Sequence, residues 1–290
     1  MPHAAGRVEG VYINLDRAPE RRAAMETQLS DIRLPYRVER FAAIDGSRQT
    51  GRPDNLRAGQ YGCWLSHLAA LERSMPNGRH LHVIEDDALL SRKLAVLPEA
   101  LEALDSDPGA SWDVLYLDAT LVELADMHRM FEWVQQARPK GLVNLYRIPA
   151  EFTVYGALSY VVNAARKKYL RDFLSANLRA GVPIDDVFAA GIRQGRLKAY
   201  LTAPFLTSGS DSSMASNVGY DDGGHGLLAW FLFRRLCFFD LGEGAAAILT
   251  ARIAELTRAL TRPEAIFAAL CAYRVAKWPN SHFAPRVGRG

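Results

Sequence analysis

His80-Leu81-His82-Val83-Ile84-Glu85-Asp86-Asp87 is a short apolar run that ends in three consecutive carboxylates. The turn signal Pro76-Asn77-Gly78 precedes it, and an apolar run of this length between turn residues reads as a buried strand. Three adjacent carboxylates repel one another, so their clustering needs a reason. In a strand, residues 85 and 87 project to one side and residue 86 to the other. Two carboxylates side by side at a strand end suit a hard divalent cation, which takes oxygen ligands. Magnesium or manganese held there would in turn hold a diphosphate. The alternative is a solvated turn with an aspartate capping a helix.

Outward from this run, strand-like and helix-like patterns alternate. Val11, Ile13 and Leu15 alternate as in a strand. Pro19, suited to a first helical turn, then opens a pattern with Met25, Leu29 and Ile32 at helical spacing. Residues 36–44 predict a second strand ending at Asp45-Gly46, and 59–75 a helix. Residues 93–104 predict a helix, 112–117 and 155–162 strands, and 164–178 a helix. Pro183-Ile184-Asp185-Asp186 opens another helix, 196–206 is extended, and the Gly/Ser/Asp-rich stretch 207–226 is a loop. This order predicts an α/β fold with a mainly parallel central sheet. Ligands of such sheets sit beyond the carboxyl ends of the strands. That directs attention to Asn14-Leu15-Asp16-Arg17, Asp45-Gly46 and the acidic triplet.

The chain has 290 residues, 49% of them hydrophobic and 23% charged, with a net charge of +3. That composition excludes a disordered chain and allows one domain with an extension. The charge is unevenly placed: from Leu227 onward nine basic residues face four acidic ones. The division expected is a body over 1–226 and a helical, basic appendage over 227–290. Within the appendage, Leu227 to Phe239 is a dense apolar and aromatic run broken by Arg234 and Arg235. It suits a buried cap, a homo-oligomer interface or a peripheral contact with an anionic membrane. A nucleic-acid partner is not expected, because the body carries no basic patch with interleaved aromatics. Cys63, Cys237 and Cys271 have no zinc-ligand spacing, which favours reduced cytosol. Met1 to Gly10 lacks the apolar core of a secretory leader. There is no GxGxxG after the first strand and no GxxxxGK[ST], HExxH or GxSxG.

Four segments in order resemble glycosyltransferase family 25, the bacterial lipopolysaccharide-type sugar transferases and collagen galactosyltransferases. They are Val11-Tyr12-Ile13-Asn14-Leu15-Asp16-Arg17 followed by Glu20-Arg21-Arg22; Phe41-Ala42-Ala43-Ile44-Asp45-Gly46; Gly62-Cys63-Trp64-Leu65-Ser66-His67-Leu68; and Val83-Ile84-Glu85-Asp86-Asp87. The resemblance implies a GT-A-like nucleotide-sugar-binding fold whose acidic motif binds Mn2+ or Mg2+. Asp87 would be the main metal ligand, with Glu85 facing the metal or the donor ribose. It implies donor contacts from Asn14, Leu15, Arg17, Arg22, Asp45, Ser66, His67 and Asp86. Arg21 reads instead as a solvent-facing helix residue. An inverting reaction needs a base for the acceptor hydroxyl, and Asp185, then Asp186, are the candidates, against a helix-capping role for Asp185. Asp118, Asp211 and His225 are further candidate contacts.

The activity implied is transfer of a hexose, galactose from UDP-galactose, to a glycan such as lipopolysaccharide oligosaccharide or another lipid-linked acceptor. The enzyme would sit in the cytoplasm, with room for a peripheral position at the inner face of the membrane. Two rivals stay open: a metal-dependent phosphoesterase, and a non-catalytic relative that binds a nucleotide sugar or a partner.

Overall fold

The run Val8–Asn14 forms strand β1, between Val38–Ala42 (β2) and His80–Glu85 (β3) and parallel to both. The computed structural model describes residues 4–74, 78–210 and 225–240, together with Phe267 and Cys271. Helix α1, Pro19–Ile32, starts with proline in its first turn and ends at Arg33 in the left-handed conformation, whose N–H returns to the Leu29 carbonyl. Helix α2 spans Ala58–Ser74.

After β3 come Ala88–Leu90 (β4), Leu97–Ser106 (α3), Val114–Tyr116 (β5), Thr120–Leu121 (β6) and Leu124–Ala137 (α4). Asn144–Arg147 (β7), Val154–Tyr155 (β8), Ser159–Val162 (β9), Lys167–Asn177 (α5) and Ile184–Arg193 (α6) follow. Ala199–Ala203 (β10), Thr207–Gly209 (β11) and His225–Cys237 (α7) complete the described elements.

The central sheet has the order β2-β1-β3-β9-β5-β10-β7. β9 is antiparallel to both β3 and β5, and β7 is antiparallel to β10. The other five strands therefore share one direction, as expected of a mainly parallel, GT-A-like sheet, and β1, β3 and β5 end on the same edge. Side chains alternate between two cores. Val83, Tyr116 and Tyr160 face one with Trp64, Leu71 and Phe188. Ile84, Leu115 and Val161 face the other with Tyr12, Met25 and Leu101. Helices thus cover both faces, which is why these strands read as continuous apolar runs.

Three local details differ from the expected pattern. The stretch 155–162 is cut at Gly156, whose φ of +125° suits glycine; β8 leaves to pair with β6, and β9 enters the sheet. Residues 207–209, expected in a loop, form β11 and pair antiparallel with β4. Residues 92–96 are a 3-10 turn capped by Ser91 rather than the start of α3.

Part of the stretch expected as an appendage builds the main core. Leu232, Phe233, Leu236 and Cys237 of α7 are buried in the same cluster as Trp64. Phe205 and Phe238 form a β-bridge, and Arg138 donates to the Leu236 and Phe238 carbonyls. Arg252, Arg258, Arg262, Arg274, Lys277, Trp278, Arg286 and Arg289 lie outside the described residues. Among the described residues no helix is long and apolar enough to cross a membrane.

The chain leaving β2 presses onto α2 at two glycines. A Cβ at Gly46 would lie 2.0 Å from the Ala58 carbonyl oxygen, and one at Gly62 would lie 2.6 Å from that of Ile44. Both obstacles are backbone and cannot rotate away. Gly46→Ala is expected to destabilise the fold by about 1–3 kcal/mol, the usual cost of overpacking, read as a lower midpoint in denaturant unfolding; an unchanged midpoint would show that the contact is loose.

Candidate functional site

Of the alternation expected at the end of β3, the opposite facing of Glu85 and Asp86 is realised; Asp87 lies in the turn after the strand, with Arg21 at 3.8 Å. Glu85 turns toward α2, where Cys63 and His67 stand one helical turn apart. Its Oε1 lies 3.2 Å from His67 Nε2 and 3.6 Å from Cys63 Sγ. His67 is buried, and its Nδ1 is 2.8 Å from the Tyr160 hydroxyl on β9. Asp86 turns the other way and accepts from Asn14 Nδ2 at 2.6 Å and Arg21 at 3.3 Å. Asn14 is held in that orientation by Arg40, which donates to its side-chain oxygen at 2.9 Å and its carbonyl at 3.1 Å.

Asp87 is buried, and its Oδ1 has no hydrogen-bond partner. Its backbone carbonyl accepts from Ser210 N at 2.8 Å, so the chain just past β11 is tied to the acidic turn. Burial, then the neighbouring Glu85, pushes the Asp87 carboxyl up to about 7, against the opposing charge of Arg21. Glu85 behaves oppositely. Burial pushes it up, but hydrogen bonds from His67 and Cys63 and the Arg234 charge outweigh this and hold it below the usual carboxylate range. A buried carboxylate oxygen without a donor, beside a second carboxylate that stays ionised, fits a cation ligand.

Asp185 belongs to the same electrostatic cluster. Trp64 Nε1 on α2 donates to the Val182 carbonyl at 2.8 Å and so ties α2 to the entry of α6. Pro183, not Asp185, occupies the cap position, which leaves Asp185 and Asp186 in the first turn. Asp185 is therefore not the helix cap, although its Oδ1 accepts from Asp186 N at 3.2 Å. Burial, then Asp186, pushes Asp185 up to about 6, and Glu85 adds to the rise. Asp186 is also raised by burial, with Arg193 opposing.

Several expected donor contacts are placed elsewhere. Arg17 pairs with Asp45 at an exposed rim, where Asp45 also accepts from Ser47 N and caps a 3-10 turn. Arg22 bonds Glu26 at 2.8 Å on the exposed side of α1; its neighbour Arg21 reaches the triplet instead. Leu15 uses its carbonyl in the turn to Ala18, and the Asn14 carbonyl accepts from Ala43 N. Ser66 is buried, donating to the Gly62 carbonyl and accepting from Ile44 N, so it fastens the Asp45 loop to α2. Asp211, with Ser212 and Ser213, lies outside the described residues, and His225 opens α7 with its side chain outside them.

Asp118, at the end of β5, is buried and paired with Arg234 of α7 through both carboxylate oxygens. That pairing brings the Arg234 charge to bear on Glu85 and Asp87. Its one advance sign is a charged residue inside an apolar run. Asp118→Ala is expected to cost about 3 kcal/mol, the lower end for breaking a buried pair, since Arg234 keeps 17% exposure. Replacing both by alanine should restore part of that loss in thermal unfolding; a double variant worse than the sum of the singles would contradict the pairing.

A cavity of about 540 Å3 lies elsewhere, among Val8, Tyr36, Arg37, Arg73 and Arg79 at the amino end of β1. It contains none of Glu85, Asp86, Asp87, Asp185 and Asp186, and it sits at the edge of the sheet opposite the one where ligands of such folds bind.

None of the curated proteins matches this chain. Residues 9–188, which include all of β1 but Val8, the Asp45 loop, α2, the acidic turn and the first turn of α6, match the family described as glycosyltransferase family 25 (LPS biosynthesis protein). Glu85, Asp87 and Asp185 and the helices and strands that carry them fall within that match, while Ser210 and Arg234, which reach the acidic turn from later in the chain, lie beyond it; the chain belongs to glycosyltransferase family 25.

Proposed function

We propose that this glycosyltransferase is a metal-dependent, inverting hexosyltransferase that moves galactose from UDP-galactose onto a glycan such as lipopolysaccharide oligosaccharide. The carrying observation is that α2, which faces Glu85 through Cys63 and His67, also holds the entry of α6 through Trp64 and Val182, so that burial, Asp186 and then Glu85 raise the Asp185 carboxyl. A direct displacement needs the base and the diphosphate-binding position to flank one sugar ring. The family supports a nucleotide-sugar donor and a glycan acceptor; the hexose, the metal and the inversion belong to the proposal.

In this reading Asp87 and Glu85 hold the divalent cation, Mn2+ or Mg2+. When bound, the cation supplies positive charge to the diphosphate as it leaves. Asp185 accepts the proton of the acceptor hydroxyl while that oxygen attacks the anomeric carbon and the carbon–oxygen bond to the diphosphate breaks. Attack opposite the leaving group inverts the anomeric centre. Asp186 is the second candidate for the base. Asn14 and Arg21 hold Asp86 on the side away from Glu85, and Arg21 also lies 3.8 Å from Asp87. A nucleotide-sugar donor suits a cytoplasmic enzyme, and a lipid-linked acceptor would draw it to the inner face of the membrane.

A screen of nucleotide sugars with Mn2+ or Mg2+, reading nucleoside diphosphate release with and without a glycan acceptor, tests this. UDP-galactose turnover that depends on acceptor is expected. Phosphate release without acceptor would favour a phosphoesterase, and donor binding without turnover would favour a non-catalytic relative.

A further inference from the structure

Cys63 plays no part in the transfer reaction above, yet it lies against two other metal-ligating groups. We propose that Cys63, His67 and Glu85 form a binding site for a borderline-soft divalent cation of the zinc class, distinct from the oxygen-ligand position at Asp87. One ligand atom from each of the three residues lies within 4.8 Å of the other two. Tetrahedral zinc, with bonds of about 2.3 Å to sulfur and about 2.0–2.1 Å to nitrogen or oxygen, puts its ligands roughly 3.3–3.5 Å apart. The observed separations are 3.6 Å from Cys63 Sγ to Glu85 Oε1 and 3.2 Å from His67 Nε2 to the same oxygen. The chelate is half built before any cation arrives.

The surroundings also favour it. The Tyr160 hydroxyl, 2.8 Å from His67 Nδ1, orients the ring and leaves Nε2 to face Glu85, the outer-shell arrangement that ligating histidines need. Cys63 and Glu85 are only half-buried, so a fourth position can be reached from solvent. Burial, then the carboxylates of Glu85, Asp185 and Asp87, pushes the Cys63 thiol well up. The negative field that disfavours a bare thiolate attracts a cation. Binding would replace the thiol proton, which leaves to solvent, by a sulfur–metal bond. Magnesium and manganese do not compete well for thiolate and imidazole, so ligand softness separates the two positions. Glu85 is common to both, and a zinc-class cation would therefore oppose the hard cation there.

Co2+ alone, added to the metal-free full chain, provides the test. One equivalent is expected to produce thiolate-to-cobalt charge-transfer absorption that Zn2+ bleaches. Cys63→Ser should abolish the band, and Asp87→Asn should keep it. Tyr160→Phe should keep the band but weaken Co2+ binding by about 10-fold, the lower end for loss of an outer-shell partner. Circular dichroism of each variant shows that it is folded. Absence of the band in wild type, its persistence in Cys63→Ser, or its loss in a folded Asp87→Asn would overturn the proposal. Sugar transfer is read separately with Mn2+, so failure of this site and failure of the transferase reading are distinguishable.

Discussion

Asp87→Asn is expected to lower kcat for sugar transfer by at least ~100-fold, comparable to the loss of one charge-stabilising group from an active site, while making the metal-free protein more stable. Both effects come from one cause. Asp87 is buried beside Glu85, so its carboxyl ionises only near pH 7 in the fold, against an ordinary value of 3.8. A carboxyl raised in the folded state adds stability in full below its unfolded pKa and loses that contribution as pH rises to the folded value. Metal-free wild type should therefore lose stability between about pH 4 and pH 7, and Mn2+ should restore it. The asparagine variant, having no proton to lose there, should show a flatter profile and no response to Mn2+. Thermal unfolding in chelator and in Mn2+ across that range measures both. A variant less stable than wild type at pH 8 in chelator would mean that Asp87 is a structural anchor, and retention of metal-dependent turnover would remove it from the metal position.

Asp185→Asn is expected to cost about 10²–10⁴ in kcat, the usual contribution of a positioned general base, with donor binding little changed. The first turn of α6 and the Trp64 tie to Val182 do not require a charge at this position, so the variant should remain folded. In wild type the base must be ionised, and its carboxyl is raised to about 6. Activity should therefore be low at pH 5, climb through about pH 6 and level off above 7; the residual activity of the variant should lack that step. Asp186→Asn should have a much smaller effect. Equal losses from Asp185→Asn and Asp186→Asn would mean that the two act as a pair, and a larger loss from Asp186→Asn would reverse the assignment.

What the sequence determined by itself was local: the strand before the carboxylates, the opposite facing of Glu85 and Asp86, the helix carrying Cys63 and His67, and the α/β order. These follow from the two- and 3.6-residue periods of backbone geometry, which successive residues encode directly. Partner choice was not encoded that way. Arg21 and Arg22 differ by one step around α1, and only the seating of that helix on the sheet decides which faces Asp86 and which faces Glu26. Ser66 lies within a family-like segment, yet the close approach at Gly46 and Gly62 makes it a fastener between loop and helix. The direction of β9 was equally hidden, because a strand buried on both faces shows the same apolar run whichever way it runs. Arg234 and Asp118 are 116 residues apart and meet because α7 packs into the core beside the end of β5. Tertiary structure decided such pairs because a buried charge must find its counter-charge wherever the packed elements leave one, and no short-range pattern along the chain records where that is.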